Sequence, residues 1–475
     1  MKWTAKQNPP TLPSWEREEY ACPMPHFFPE DYGALADGKT NDAGAVQKAL
    51  NAAQDTGGSV ILSGGTYLCG QLYLRGGLTL FIKRGCKLLA SGNIADYNED
   101  THYNRYLGEK HLDRCFLYGE NCDKLVFTGG GVIDGNAPAF HHDKDQYVPR
   151  PMLVRLKDCR GVIIEHLHFY DAASWNFAIL GCDDVTARAL RFRSLVNLNG
   201  DGLDFDGCRR VLVEDCVFDQ SDDSVCLQSN GQGQQDCEDI TIRRCRMRSW
   251  TGGVRIGMKS VGDIRRVLIE DCVMEHIWRE GIKIESSEGG IIEDICIRNV
   301  RMENVRRPFY YICNNIKISC GVDKIPAFGK IRNITAENII LVDTEEMHQE
   351  HYYTWGGIHC VMGEPKFGGI RLDAHESAPM EEITFSNLTY RAIGGVKKEE
   401  IPDTWPTVAD CRIESEAGRS SNYYPDWSRA SCMDLRNIKN LLLSQVSLGV
   451  KEPDERPVYL IENCSLAKEA EITAC

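Results

Sequence analysis

The stretch from Asn199 to Ser229 carries acids in two groups: Asp201, Asp204 and Asp206, then Asp222 and Asp223. Between them Val211 to Phe218 alternates apolar and polar residues, the pattern of a strand with one buried face. Leu203 and Phe205 of "DGLDF" match Val225 and Leu227 of "DSVCL" as inward residues at an offset of 22. That register stacks Asp201 on Asp223, with Asp222 alongside. Carboxylates held at the strand spacing of about 4.8 Å repel one another, which raises at least one pKa. A protonated carboxyl next to an ionised one suits hydrolysis of a glycosidic bond. One gives a proton to the leaving oxygen and the other activates water. Inverting enzymes of this kind hold the two roughly 6.5–9.5 Å apart, a gap that splayed side chains on neighbouring strands can meet. Solvated turn acids give the same pattern, because Asp favours turns. The residues alone leave both readings open.

The register extends along the chain. Phe177 and Ile179 of "SWNFAIL" place Trp175 one strand before Asp201, and Val254 with Ile256, then Ile282 with Ile284, continue after Val225. Outward on the same strands come Asp204, Cys226, Arg255 and Lys283, with Tyr310 or Tyr311 of "RRPFYYIC" next. Asp201, Asp222 and Asp223 are therefore the expected catalytic set. Asn199, Asp204, Trp175, Arg255, Lys283 and Tyr311 are the expected substrate contacts, Trp175 as a platform for a sugar ring.

Strands that recur in one register require a repeating architecture. Related segments anchor at Leu125, Val162, Val185, Val211, Ile240, Val267, Ile295, Ile334 and Ile383. From Val162 to Ile295 the steps are 23, 26, 29, 27 and 28 residues; later steps of 39 and 49 imply long inserted loops. Several short strands per period, with no helix between them, disfavour doubly wound and TIM-barrel folds. The leucine-rich consensus is absent. We expect an all-β, right-handed, single-stranded parallel β-helix, in which stacking buries a core that no coil could bury alone. Cys122, Cys159, Cys182, Cys208 and Cys237 each precede an anchor by three residues, and Cys216, Cys245 and Cys272 each follow one by five. These predict ladders of buried thiols. Thr40 or Asn41 is the expected N-cap of a helix carrying Ala45, Val46, Ala49, Leu50 and Ala53, stopped by Gly57-Gly58. Such a helix would cover the open first coil. The expected organisation is one domain over 1–475: an extension to 30, a cap over 31–58, coils over 59–390, and final coils with a C-terminal cap over 391–475. Arg391 to Cys432 reads as a long loop or capping element.

The net charge of −15 argues against nucleic acid and anionic membrane surfaces as partners. No apolar run at the start reads as a secretion signal, and none elsewhere is long enough to span a membrane. The 21 cysteines are an odd number, read as reduced thiols, and the absence of paired C-x-x-C motifs argues against zinc. The expected location is cytoplasmic.

"NGDGLDFDGC" and "SDDSVCLQS" resemble the N-T-D-G-x-D and D-D signatures of glycoside hydrolase family 28, the polygalacturonase-like enzymes. "DYGALADGKTNDAGAVQKAL", "GGTYLCGQLYL" with "GCKLLAS", "GGGVIDG" and "RPMLVRLKDCRGVIIE" followed by "SWNFAIL" extend the resemblance over roughly residues 30–310. It implies a right-handed parallel β-helix and an inverting hydrolase with no metal cofactor. Asp222 would be the proton donor, and Asp201 and Asp223 would hold and activate the water. The chain departs from the family pattern at three places. Gly200 stands where Thr is usual, and Thr251 or Gly252 where a G-H-G histidine is usual. The R-I-K segment reads Lys283-Ile284-Glu285. The resulting expectation is a hydrolase of pectic-type oligosaccharides, exo-acting. A lyase or esterase, or a non-catalytic carbohydrate-binding β-helix, are the alternatives. The segment "MHQEHYYTWGGIHC" is expected to wall off one end of the groove or to pack against a second copy in a homo-oligomer.

Overall fold

The structure, a computed structural model, describes residues 22–474 except 55, 100, 102–112, 141–148, 230–234, 259, 316–327, 350–351, 356–357, 362–366, 404 and 406–427. For 352–355 and 358–361 it describes the backbone alone.

Among the described residues thirty-four strands join through parallel pairings into one right-handed parallel β-helix. Each central coil runs through three strands. In one coil these are Arg209–Glu214, Val217–Gln220 and Val225–Gln228, so three parallel sheets climb the molecule. The anchors pair rung to rung as their spacing requires: Val162 with Val185, then Val211, Ile240, Val267, Ile295, Ile334 and Ile383. Alternation explains the register. Slipping one residue would turn every Val and Ile of a rung to the outside.

Inward positions form a continuous core with aromatic stacks, Phe169 on Phe192 on Phe218, at centroid separations of 5.1 and 5.0 Å. The cysteine ladders lie where expected. Cys122 N–H donates to Cys159 Sγ at 3.4 Å and Cys159 N–H to Cys182 Sγ at 3.3 Å, with these thiols free and buried. Outside, arginines pair with acids one coil earlier, among them Arg210 with Asp184, Arg244 with Asp215 and Arg266 with Asp239.

Helix α1 spans Ala43–Ala53 and buries Val46, Ala49, Leu50 and Ala53 against the first strands. Its N-cap is Asp42, rather than Thr40 or Asn41 as the sequence suggested. Asp42 instead turns its carboxylate back to accept from Leu35 N and Ala36 N, and Asn41 Oδ1 accepts from Ala43 N. Late in the chain, Met380–Gly394 is strand and Lys398–Glu400 a 3-10 turn; most of the stretch to Cys432 lies outside the described residues. Tyr352–Trp355 and Ile358–Val361 pair antiparallel, but the side chains expected to wall the groove lie outside the described residues. Among the described residues no helix is long and apolar enough to cross a membrane.

Candidate active site

The acids sit where the second sheet of each coil turns into the third. Leu203 pairs with Val225, Val225 with Val254 and Val254 with Ile282, the register expected from the inward residues. Gly202 N–H donates to the Asp223 carbonyl at 2.9 Å and Asn176 N–H to the Asp201 carbonyl at 2.9 Å, which puts Asp201 and Asp223 on adjacent rungs. Buried hydroxyls fix these turns. Gly200 N–H donates to Ser221 Oγ, Ser221 Oγ donates to the Asn197 carbonyl, and Ser249 Oγ donates to the Asp222 carbonyl at 2.6 Å.

One oxygen each from Asp201, Asp222 and Asp223 lies within 4.8 Å of the others. Burial is the largest influence on Asp201 and, with the charges of Asp222, Asp204 and Asp223, pushes its carboxyl well above the usual range. Burial and the Asp223 charge push Asp222 up to about 6, against a hydrogen bond from Thr251. Thr251 Oγ1 donates to Asp222 Oδ1 at 2.8 Å and lies 3.3 Å from Asp223 Oδ1. Asn199, in the left-handed region at φ +57°, donates from Nδ2 to Asp222 Oδ2 at 3.3 Å. Buried Arg150 orients that amide by donating to Asn199 Oδ1 at 2.9 Å, and it also holds the carbonyls of Ala173 and Leu198. Asp223 pairs with Arg255 Nε at 2.9 Å. A Cβ on Gly252 would meet Asp223 Oδ1 at 2.2 Å, so the rung after Asp223 is left open by the absence of a side chain. Two acids pushed toward the protonated form, Asp201 and Asp222, thus lie beside a third, Asp223, that pairs with a guanidinium.

The expected substrate contacts divide. Asn199 reaches Asp222. Asp204 stacks under Cys226, itself under Arg255 and then Lys283, as the outward register required. Asp204 is only 3% exposed, and burial outweighs Arg255 to push it up to about 7. Three expectations need correction. Tyr311 pairs with Ile284 and points into the core against Phe309; Tyr310 takes the outward place over Lys283, because Phe309 follows the inward Ile282 and fixes the alternation. Trp175 occupies the rung before Asp201 but is 8% exposed, packed with Cys115, Met152 and Ala178, which leaves little ring face for a sugar. Lys283 spends its charge on Glu285, Nζ to Oε2 at 2.7 Å.

Residues that the sequence reading did not single out also surround the acids. Arg150 and Ser249 hold its turns. Glu280, two rungs after Asp223, is surrounded by cations: burial pushes its carboxyl up, but Arg279, Arg307, Lys283 and Arg306 outweigh this and bring it down to about 2. Cations adjacent in sequence at Arg306-Arg307 were the available signal. Two sets of three could ligate a metal: Asp201 with Asp222 and Asp223, and Asp201 with Asp204 and Cys226.

Comparison with known proteins identifies the family. The family model for glycosyl hydrolases family 28 matches residues 97–340, half of the chain. A protein named "Probable polygalacturonase" from Vitis vinifera is 26% identical over 313 residues, covering 60% of this chain and 62% of its own. An exo-poly-alpha-D-galacturonosidase from Dickeya chrysanthemi is 24% identical over 373 residues, covering 66% and 61%. The chain thus spans about three-fifths of the length of these two relatives. The solved structure of a family 28 exopolygalacturonase from Yersinia enterocolitica shares the fold at a TM-score of 0.65 and 16% identity, covering 95% of this chain and 78% of its own. With the family match falling on the coils that carry Asp201, Asp222 and Asp223, the chain belongs to glycosyl hydrolase family 28.

Proposed function

We propose that this chain hydrolyses O-glycosidic bonds of pectic oligosaccharides, removing units from a chain end. The observation that carries the reading is the cluster of three carboxylates on adjacent rungs, with Asp222 holding its proton to about pH 6 and Asp223 paired with Arg255. Asp222 gives its proton to the leaving oxygen. Asp201 and Asp223 hold a water between them, and Asp223 accepts a proton as that water attacks the anomeric carbon.

The closest oxygens lie within 4.8 Å, nearer the roughly 5–5.5 Å of retaining pairs than the 6.5–9.5 Å expected from inversion. We assign inversion nonetheless. Two carboxylates remain to position water once Asp222 has acted as the acid, whereas a retaining enzyme needs only one partner. The acidic-sugar preference is supported by the cations beyond Asp223: Arg279, Lys283, Arg306 and Arg307 face two acids, Glu280 and Glu285. The exo mode is supported by the names of the Dickeya and Yersinia proteins. The buried free cysteines support a reducing, cytoplasmic setting, where short oligosaccharides rather than polymers would be the substrate.

Defined oligogalacturonides followed by NMR test this. The first product formed should carry the anomeric configuration opposite to the substrate bond. Asp222→Asn should lower turnover by roughly 10²–10⁴-fold with little change in melting temperature. Full activity in that variant would refute the role given to Asp222.

A further inference from the structure

The outward row of the third sheet places the Cys226 thiol one rung above the Asp204 carboxylate. One donor atom each from Asp201, Asp204 and Cys226 lies within 4.8 Å of the other two, and all three residues are buried. A second observation concerns the oxygens. Both oxygens of Asp204 and Oδ1 of Asp201 have no hydrogen-bond partner among the described residues, although Asp201 and Asp204 are each only 3% exposed. Buried carboxylate oxygens are nearly always partnered. Three such oxygens beside a thiol are a donor set whose one neighbouring cation among the described groups acting on it is the Arg255 guanidinium. Arg255 occupies only the sulfur: its Nε pairs with Asp223 and its Nη2 donates to Cys226 Sγ at 3.1 Å, a contact that an incoming cation would displace, while it makes no hydrogen bond to the Asp204 oxygens.

We propose that Asp201, Asp204 and Cys226 form a site for a thiophilic divalent cation such as Zn²⁺ or Cd²⁺, and that its occupancy switches off the catalytic cluster. A sulfur with two carboxylates suits these ions. Mg²⁺ and Ca²⁺ prefer six or more oxygens and gain little from sulfur. Zn–S and Zn–O bonds of about 2.3 and 2.0 Å put sulfur and oxygen about 3.5 Å apart on a tetrahedral ion. Cys226 Sγ and Asp201 Oδ2 are 4.0 Å apart, so a shift of about half an ångström brings that pair to bonding distance of one ion, and the three donors together lie within 4.8 Å of one another. On binding, the thiol proton passes to solvent, a metal–sulfur bond forms, and the carboxylates supply the oxygens. Asp201 belongs to this set and to the Asp201–Asp222–Asp223 set, so the cation withdraws it from the attacking water. The donors are far apart in sequence and include one sulfur, which is why no C-x-x-C spacing announces them. The inhibition rests on the hydrolase reading; the binding does not.

The experiment titrates Cd²⁺ into the full chain without sugar and follows the ultraviolet sulfur-to-cadmium charge-transfer absorption, which the other thiols share and a variant comparison subtracts. Cys226→Ala and Cys226→Ser should each lose the tightest component of the titration and bind at least tenfold more weakly, as should Asp204→Asn. Zn²⁺ should inhibit cleavage by Cys226→Ala only at tenfold or more higher concentration, relative to that variant's own uninhibited rate. Mg²⁺ should leave both signals unchanged. Identical Cd²⁺ titrations for the unaltered chain and both Cys226 variants would overturn the site, even in an enzyme active on sugar. Loss of Cd²⁺ binding in the variants of a chain that cleaves no sugar would uphold the site and overturn the hydrolase reading instead.

Discussion

At Asp222 several neighbours act on one proton. Burial and the Asp223 charge push the carboxyl up, while Thr251, Arg255 and Arg279 pull it down, leaving it near 6. Of these, the Thr251 hydroxyl can be removed at almost constant volume. A hydroxyl donating to the ionised oxygen favours the charged form. Thr251→Val should therefore raise the Asp222 pKa, keep the acid protonated to higher pH, and move the alkaline limb of kcat upward by roughly half to one unit. The acidic limb, set by the base, should move less. A pH–rate profile checks this; an unmoved alkaline limb would show that Thr251 only packs.

The turns and rungs that carry these groups were largely written in the alternation of the sequence. Matching Leu203 to Val225 was enough to bring Asp201 and Asp223 together, because a parallel rung admits one register once its inward face is apolar. The same logic placed Cys226, Arg255 and Lys283 in one outward row, and applied strictly it would have chosen Tyr310 over Tyr311. What alternation cannot reveal is which outward residues are covered. Trp175 and Asp204 sit on an outer face yet are buried, and Lys283 meets Glu285 two residues on along the same strand. Those facts depend on packing from other parts of the chain and on side-chain reach. Glycine at 252 is a space requirement of the rung, since its φ is not in the left-handed region. Gly252→Ala should leave the fold intact while its methyl displaces the Asp223 carboxylate from Arg255. A displacement on the order of 1 Å costs about 100-fold in kcat. Near-normal kcat in a folded Gly252→Ala protein would mean that the rung yields and that Asp223 needs no such clearance.

Across the whole molecule, the acids divide into two populations with opposite effects on stability. The outer ladders tie arginines to Asp184, Asp215 and Asp239, exposed pairs that solvent screens and that individually contribute little. The buried acids act in the other direction. Asp204 and Asp343 are each pushed up to about 7, chiefly by burial, and Asp222 to about 6. In the unfolded chain such groups titrate near 4, so between about pH 4 and 7 the folded state binds more protons than the unfolded one. Stability then falls as pH rises through that window. Glu280, brought down to about 2, works oppositely: its contribution is present above about pH 4 and is lost as pH falls toward 2. The net charge of −15 adds self-repulsion that acid relieves. The melting temperature should therefore peak near pH 5 rather than at neutrality. Asp204→Asn isolates the effect, since it removes the buried charge at nearly constant volume. That variant should be more stable than the unaltered chain at pH 7.5, by on the order of 1–4 kcal/mol, and nearly equal to it at about pH 4. Thermal melts at the two pH values, at one scan rate, decide the matter. A variant no more stable at pH 7.5 would mean that Asp204 is compensated in the folded state. The buried acids would then not set the pH at which this solenoid is most stable.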